Sequence, residues 1–106
     1  MVAMCSSLAE VRQHIDVIDQ QMLGLLAERG AYVRQAAGFK RDVAEVPAPE
    51  RVRQVLDNIR NKAEQLGADA AVAETTWQAM IAAFIQAEQQ HYAALNPSAA
   101  SKPPQH

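Results

Sequence analysis

The sequence predicts an all-α fold of three helices, the first of them very long. Apolar residues recur at steps of three and four over long stretches, and proline or glycine interrupts these series at only a few positions. No stretch shows the strict alternation that is typical of a strand. With 106 residues, the chain is long enough for one domain with a modest core.

The first predicted helix runs from about Leu8 to Lys40 or a little beyond. Ser7 and Glu10 form the Ser-x-x-Glu pattern of a capping box at its start. Its apolar residues follow the heptad spacing of a helix that packs against other helices. They are Leu8, Val11, Ile15, Ile18, Met22, Leu25, Tyr32, Ala36 and Phe39. At ~1.5 Å per residue this helix would be ~50 Å long, more than so short a chain can bury alone, which favours oligomerisation.

Two shorter helices are predicted to follow. Pro47 and Pro49 interrupt the first pattern, and Pro49 suits the first turn of a second helix. Gly67 is expected to end this helix, and Asp69 to cap a third that runs to about Leu95. The expected apolar stripes are Val52, Val55, Leu56, Ile59, Ala63 and Leu66 on the second helix, and Thr76, Met80, Ala83, Phe84 and Ala87 on the third. We expect a flexible start at residues 1–7, a helical domain at 8–95 and a disordered tail at 96–106.

Composition argues against several classes of function. Ten basic and twelve acidic residues are well mixed and give a net charge of −2, so neither a nucleic acid nor a membrane surface is an expected partner. Cys5 is the only cysteine, and the three histidines lack metal-ligand spacing, so no metal is expected. No run of 18 apolar residues and no secretion signal occurs, which predicts a cytoplasmic protein whose translation starts at Met1 or Met4.

Arg29 stands where the heptad series of the first helix calls for an apolar residue. A guanidinium in such a position is costly unless an anionic group meets it. The pattern therefore predicts an anionic ligand or a buried acid beside Arg29.

Three cations of the first helix are spaced as a ligand clamp would be. Arg29 and Lys40 are 11 residues apart, so on one helix they face nearly the same way, ~16 Å apart. Arg12 lies 17 residues before Arg29, or ~25 Å along the axis, and reaches the same small molecule only from an antiparallel partner helix. We therefore hypothesise a two-fold dimer with sites built from both chains. Taken singly, Arg12 and Lys40 also fit solvated flanks.

The ensemble of these residues resembles the all-helical chorismate mutase family over Leu8 to Leu95. The residues that carry the resemblance are Val11-Arg12, Ile15-Asp16, Asp19, Leu25-Leu26-Ala27-Glu28-Arg29, Phe39-Lys40, Pro49-Glu50-Arg51 and Glu88-Gln89. The run from Val46 to Val52 looks more like the isochorismate-pyruvate lyases of salicylate synthesis, which share this fold and most of the site.

The resemblance implies an intertwined homodimer that acts on a small dianion without a cofactor. In the family pattern, Arg12 of one chain would bind one substrate carboxylate and Arg29 of the other chain would bind the second. Lys40 and Gln89 would face the ether oxygen of the breaking bond, and Glu50 would accept a hydrogen bond from a ring hydroxyl. By itself, the glutamine also fits a hydrogen-bond bridge in a core.

Two positions depart from the better-known mutases. Pro49 stands where some of them carry an arginine that binds a carboxylate, and Arg51 is the candidate to replace it. Ile85, one turn before Gln89, stands where they often have a small hydroxyl residue. Both positions bear on which substrate is bound.

The complete set of cations together with Glu50 favours the mutase reaction, the rearrangement of chorismate to prephenate. An isochorismate-pyruvate lyase is the alternative reaction. A regulatory helical module without catalysis and a plain coiled coil, in which Arg29 faces an acid such as Glu28 of its partner, are the alternatives without chemistry.

Overall fold

A computed structural model describes residues 2–39 and 49–95 of the chain. These residues form the helices α1 (Leu8–Ala37), α2 (Pro49–Leu66) and α3 (Ala70–Leu95), and no strand occurs among them. The predicted all-α class with a long first helix is confirmed. The division at residues 7 and 95 stays a prediction, and residues 96–106 lie outside the described part. The chain groups into two compact units, Met1–Tyr32 and Val33–His106.

Serine side chains cap the start of α1. The Ser7 hydroxyl accepts a hydrogen bond from the amide of Glu10 at 3.1 Å, as a capping box requires. The Glu10 carboxylate turns back to Ser6, where it accepts from the hydroxyl at 2.5 Å and from the amide at 3.0 Å. The hydrogen bond from the Ser6 side chain, followed by the one from its backbone, lowers the pKa of Glu10. The predicted cap therefore forms, with Ser6 in place of Ser7 as the partner of the glutamate.

The apolar face of α1 is exposed within the first unit. Every residue from Val11 to Glu28 is exposed. The heptad residues Ile18 and Leu25 keep 52% and 65% of their surface accessible, and Leu23, which lies off that series, keeps 63%. The described residues of this unit therefore leave their own apolar side chains in water.

The far end of α1 comes earlier than the sequence predicts. The helix ends at Ala37, whereas the prediction placed its end near Lys40, which lies outside the described residues. The amides of Gly38 and Phe39 each bond to the carbonyl three residues earlier, at 3.1 and 3.0 Å. Such bonds tighten a final turn, and glycine is a weak helix former, so Gly38 stops the regular helix.

In the second unit, α2 and α3 pack against each other across a three-residue turn. Gly67 has a φ of 77°, and the amide of Ala68 bonds to the carbonyl of Ala63 at 2.8 Å, as in a Schellman motif. The Asp69 carboxylate then accepts from the amides of Ala71 and Val72 at 2.9 and 3.1 Å. Pro49 begins α2, so the predicted start, stop and cap residues of this hairpin are confirmed.

An ion pair marks the register of the hairpin. Arg60 of α2 and Glu74 of α3 approach to 2.7 Å. The two helices run in opposite directions. The residue ten positions before Arg60 and the residue ten positions after Glu74 therefore lie at about the same height along the hairpin. Glu50 is therefore level with Phe84, and α3 continues for ~15 Å beyond the first turn of α2.

The apolar stripes of this unit match the prediction on α2 and differ on α3. The predicted α2 stripe is buried or half-buried up to Ala63, but Leu66 is 74% exposed. On α3, the predicted Thr76, Ala83 and Ala87 are exposed. The buried or half-buried residues there include the large apolar side chains Trp77, Met80, Ile81, Phe84 and Ile85 and the polar Glu74, Glu88 and Gln89. The helix presents this face because large side chains such as Trp77 gain more from burial than alanines do.

The left-handed conformation at Gly67 gives a stability prediction. Gly67→Ala should destabilise the hairpin by about 1–2 kcal/mol, because a Cβ strains a residue with positive φ. Thermal unfolding followed by circular dichroism at one protein concentration would measure this loss. Gln65→Ala, at an exposed helical position two residues earlier, is the control and should leave the midpoint nearly unchanged. Equal midpoints for the two variants would contradict the strained turn.

Candidate functional site

Arg29 lies at the point of α1 where exposure gives way to burial. The residues before it, from Val11 to Glu28, are exposed, whereas Arg29 is half-buried and Gly30 is buried. Arg29 also interacts with another group of the chain. Arg29 therefore has the setting expected of a cation on an apolar seam, since it is partly desolvated and is engaged by another group.

Arg12 is exposed near the other end of the same helix. Because α1 is continuous from Leu8 to Ala37, the 17 residues between Arg12 and Arg29 span ~25 Å. The two guanidinium groups of one chain therefore do not meet on one small molecule. Lys40, the third cation of the predicted clamp, lies outside the described residues.

Glu50 and Arg51 occupy the first turn of α2, and both are exposed. An acid at this position interacts favourably with the helix dipole. Arg51 donates a hydrogen bond from Nη1 to the side-chain oxygen of Gln54 at 2.8 Å, within its own helix. That bond keeps the guanidinium near α2 and gives it one local acceptor.

Ile85 and Gln89 are both half-buried on α3, one turn apart on the same face. The register of the hairpin places Ile85 level with the first turn of α2 and Gln89 one turn beyond it. The second unit therefore brings Glu50, Arg51, Ile85 and Gln89 to one end of the hairpin, away from the turn at Gly67. The predicted inward orientation of Gln89 agrees with its partial burial.

Sequence reasoning did not predict the burial of Glu88, which is only 8% exposed. The described part of the chain contains no other buried residue with a charged side chain. The signal was present, because Glu88 follows Ile81 and Phe84 at steps of seven and four, as Arg29 follows the apolar series of α1. The predicted stripe through Ala83 and Ala87 concealed it.

Guanidinium and amide groups of this kind suit the recognition of a small organic anion. A guanidinium binds a carboxylate through two parallel hydrogen bonds, and the amide of Gln89 is a neutral donor. Among residues 2–39 and 49–95 no group of three or more His, Cys, Asp or Glu side chains is placed to hold a metal ion. Within the same residues no helix is both long and apolar enough to cross a membrane.

Comparison with known proteins places the chain in a family. The family model of type II chorismate mutases matches residues 11–89, which include every candidate site residue. An isochorismate pyruvate lyase from Pseudomonas aeruginosa is 40% identical over 88 residues, covering 83% of this chain and 86% of that protein. A chorismate mutase from Methanocaldococcus jannaschii is 32% identical over 79 residues, covering 74% and 80%. The chain is thus a member of the type II chorismate mutase family, as the resemblance predicted.

Proposed function

We propose that this protein converts isochorismate to salicylate and pyruvate, and that rearrangement of chorismate to prephenate is the second candidate reaction. The observation that carries the lyase reaction is the 40% identity to the isochorismate pyruvate lyase over 86% of its length. The half-buried Ile85 supports it, because the apolar side chain replaces the hydroxyl often found there in mutases. This proposal reverses the preference for the mutase reaction drawn from the sequence alone.

Two observations support the mutase reaction. The chorismate mutase from Methanocaldococcus jannaschii covers 74% of the chain at 32% identity. Glu50, which the family pattern pairs with a ring hydroxyl, is present in the first turn of α2. Both candidate substrates are ring dianions with the same ether side chain, and they differ in the position of the ring hydroxyl.

In the proposed site, two guanidinium groups bind the two carboxylates of the substrate. Arg29 binds one of them from the partly buried stretch of α1, and Arg12 of a second chain binds the other. Bidentate pairing fixes the orientation of each carboxylate as well as its charge. The clamp thereby holds the side chain over the ring, which is the conformation that both reactions require.

The same bond breaks in both reactions, so one arrangement of donors serves both. In the lyase reaction the ether C–O bond breaks while a ring hydrogen moves to the methylene carbon of the side chain, which gives pyruvate and an aromatic ring. In the mutase reaction the methylene carbon instead bonds to the ring. Negative charge grows on the ether oxygen in each case, and Lys40 and Gln89 are the proposed donors to it. Neither reaction requires a covalent intermediate.

The exposed face of α1 supports a dimer. Ile15, Ile18, Met22 and Leu25 are each about half exposed or more, over a stretch in which every residue is open to water. A soluble chain rarely leaves so continuous an apolar surface uncovered. We propose that a second copy covers it in an antiparallel arrangement, because that arrangement also brings Arg12 to the Arg29 of the partner.

A product assay tests the proposed reaction. The purified chain is incubated with isochorismate and, separately, with chorismate, and chromatography resolves salicylate, pyruvate and prephenate. We expect salicylate and pyruvate in equal amounts from isochorismate, at a higher kcat/KM than prephenate formation from chorismate. Faster prephenate formation would put the mutase reaction first. Turnover of neither substrate would leave the non-catalytic module as the better interpretation.

Removal of the lysine donor should abolish most of the activity. Lys40→Ala should lower kcat at least ~100-fold, because a preorganised donor to a developing oxyanion is lost. The unfolding midpoint should stay close to that of the wild type. Lys62→Ala, which removes an exposed lysine of α2, is the control and should keep its activity. Near-normal turnover by the Lys40 variant would refute its role at the ether oxygen.

Mixing two inactive variants tests whether each site uses both chains. After subunit exchange between Arg12→Ala and Lys40→Ala proteins, half of the dimers are mixed, and one of the two sites in each mixed dimer has both residues. Activity should therefore recover to about a quarter of the wild-type level.

The matched control for this mixture is Arg29→Ala with Lys40→Ala. Arg29 and Lys40 are proposed to come from the same chain, so each site of a mixed dimer still lacks one of them and no activity should return. Recovery in both mixtures, or in neither, would contradict the shared site.

A further inference from the structure

Glu88 is a buried acid for which the proposed reaction has no direct use. Its side chain lies on the inward face of α3 with Ile81 and Phe84, and only 8% of the residue is exposed. The inference drawn from it rests on the proposed function.

Burial of this carboxyl group requires hydrogen-bond donors around it. Among the described residues, no fully buried side-chain oxygen or nitrogen lacks a hydrogen-bond partner. Glu88 also interacts with another group of the chain. An apolar residue of similar size would fill the same space without needing donors, so the acid is not explained by packing alone.

The position of Glu88 links it to the proposed site. It directly precedes Gln89, and it lies one turn beyond Phe84, which is level with the first turn of α2. The buried acid therefore lies at the end of the hairpin that carries Glu50, Arg51, Ile85 and Gln89. Donors near this end of the hairpin are also the groups that would face a bound dianion.

A second acid, Glu74, lies on the same face of α3 as Glu88 but at the other end of the hairpin. Glu74 lies 14 residues before Glu88, which is close to four whole turns, so the two side chains leave α3 in nearly the same direction. Glu74 is paired with Arg60 of α2 near the turn end of the hairpin. The two acids thus share helix and face but occupy opposite ends.

We propose that Glu88 is a positioning residue of the active site. Its carboxyl group accepts hydrogen bonds from donors of the site, and it holds them and the adjacent Gln89 in the arrangement that meets the ether oxygen in the transition state. Glu88 does not touch the substrate. Because the substrate is a dianion, a nearby acid weakens its binding slightly while it improves the alignment of the groups that stabilise the transition state.

Steady-state kinetics of Glu88→Gln, Glu88→Asp and Glu74→Gln test this role, with whichever of isochorismate and chorismate the wild type turns over faster. Glu88→Gln keeps the size and removes the charge, and we expect kcat to fall at least ~10-fold with KM unchanged or lower. Glu88→Asp keeps the charge and should recover part of kcat. Glu74→Gln should lower the unfolding midpoint without a change in kcat for the folded enzyme.

Several other outcomes would contradict the proposal. A folded Glu88→Gln protein with kcat within ~2-fold of the wild type would show that the acid is structural, and a raised KM at normal kcat would make it a binding residue. If Glu88→Gln does not fold, Glu88→Asp decides: a lowered kcat in the folded variant supports positioning, and normal kcat or failure to fold overturns it. An inactive wild-type protein would refute the proposed function, whereas an active wild type with an indifferent Glu88 would refute only this inference.

Discussion

The apolar surface of α1 is the constraint on which the other features depend. The helix is 30 residues long, and from Val11 to Glu28 every residue is exposed in a single chain. Isolated helices gain little stability in water from their backbone alone, and most of it comes from packing of an apolar face. A helix of this composition therefore requires a cover, and we propose that a second copy of the same chain supplies one of matching length.

That requirement connects assembly with chemistry. Arg12 and Arg29 lie ~25 Å apart on one continuous helix, so a single chain does not bring both to one small molecule. An antiparallel pairing of two α1 helices would instead bring Arg12 of one chain close to Arg29 of the other. In the proposed dimer, the same apolar contact that stabilises the fold also completes each binding site, and neither site exists without it.

Charged groups on apolar stripes are the second theme of the structure. Arg29 on α1 and Glu88 on α3 each occupy a position where the spacing calls for an apolar residue, and each interacts with a partner group. Such positions are costly in a helix that serves only to pack. In contrast, Arg60 and Glu74 pair with each other across the hairpin and keep 48% and 29% of their side-chain surface exposed. Glu88, which is 8% exposed, is therefore more deeply buried than either member of this pair.

The helices, their caps and the family could be predicted from the amino-acid sequence alone. Heptad spacing, Pro49, Gly67 and Asp69 act locally, within a turn or two, and such signals are readable without tertiary contacts. The same spacing singled out Arg29 and grouped it with Arg12 and Lys40, whereas the addition of Glu50 and Gln89 followed from the resemblance. Lys40 lies outside the residues that the structure describes.

Tertiary packing chose the face of α3 that turns inward, which the spacing of its residues did not predict. Alanine-rich helices have no sharply defined apolar face, so the inward face of α3 is chosen by the packing of Trp77, Ile81 and Phe84, and that choice revealed Glu88. Spacing alone also did not locate the end of α1, because the local bonds of the turn at Gly38 compete closely with one more helical residue. The level of the site along the hairpin likewise came from the Arg60–Glu74 pair, because a register between two helices is a property of contacts distant in sequence.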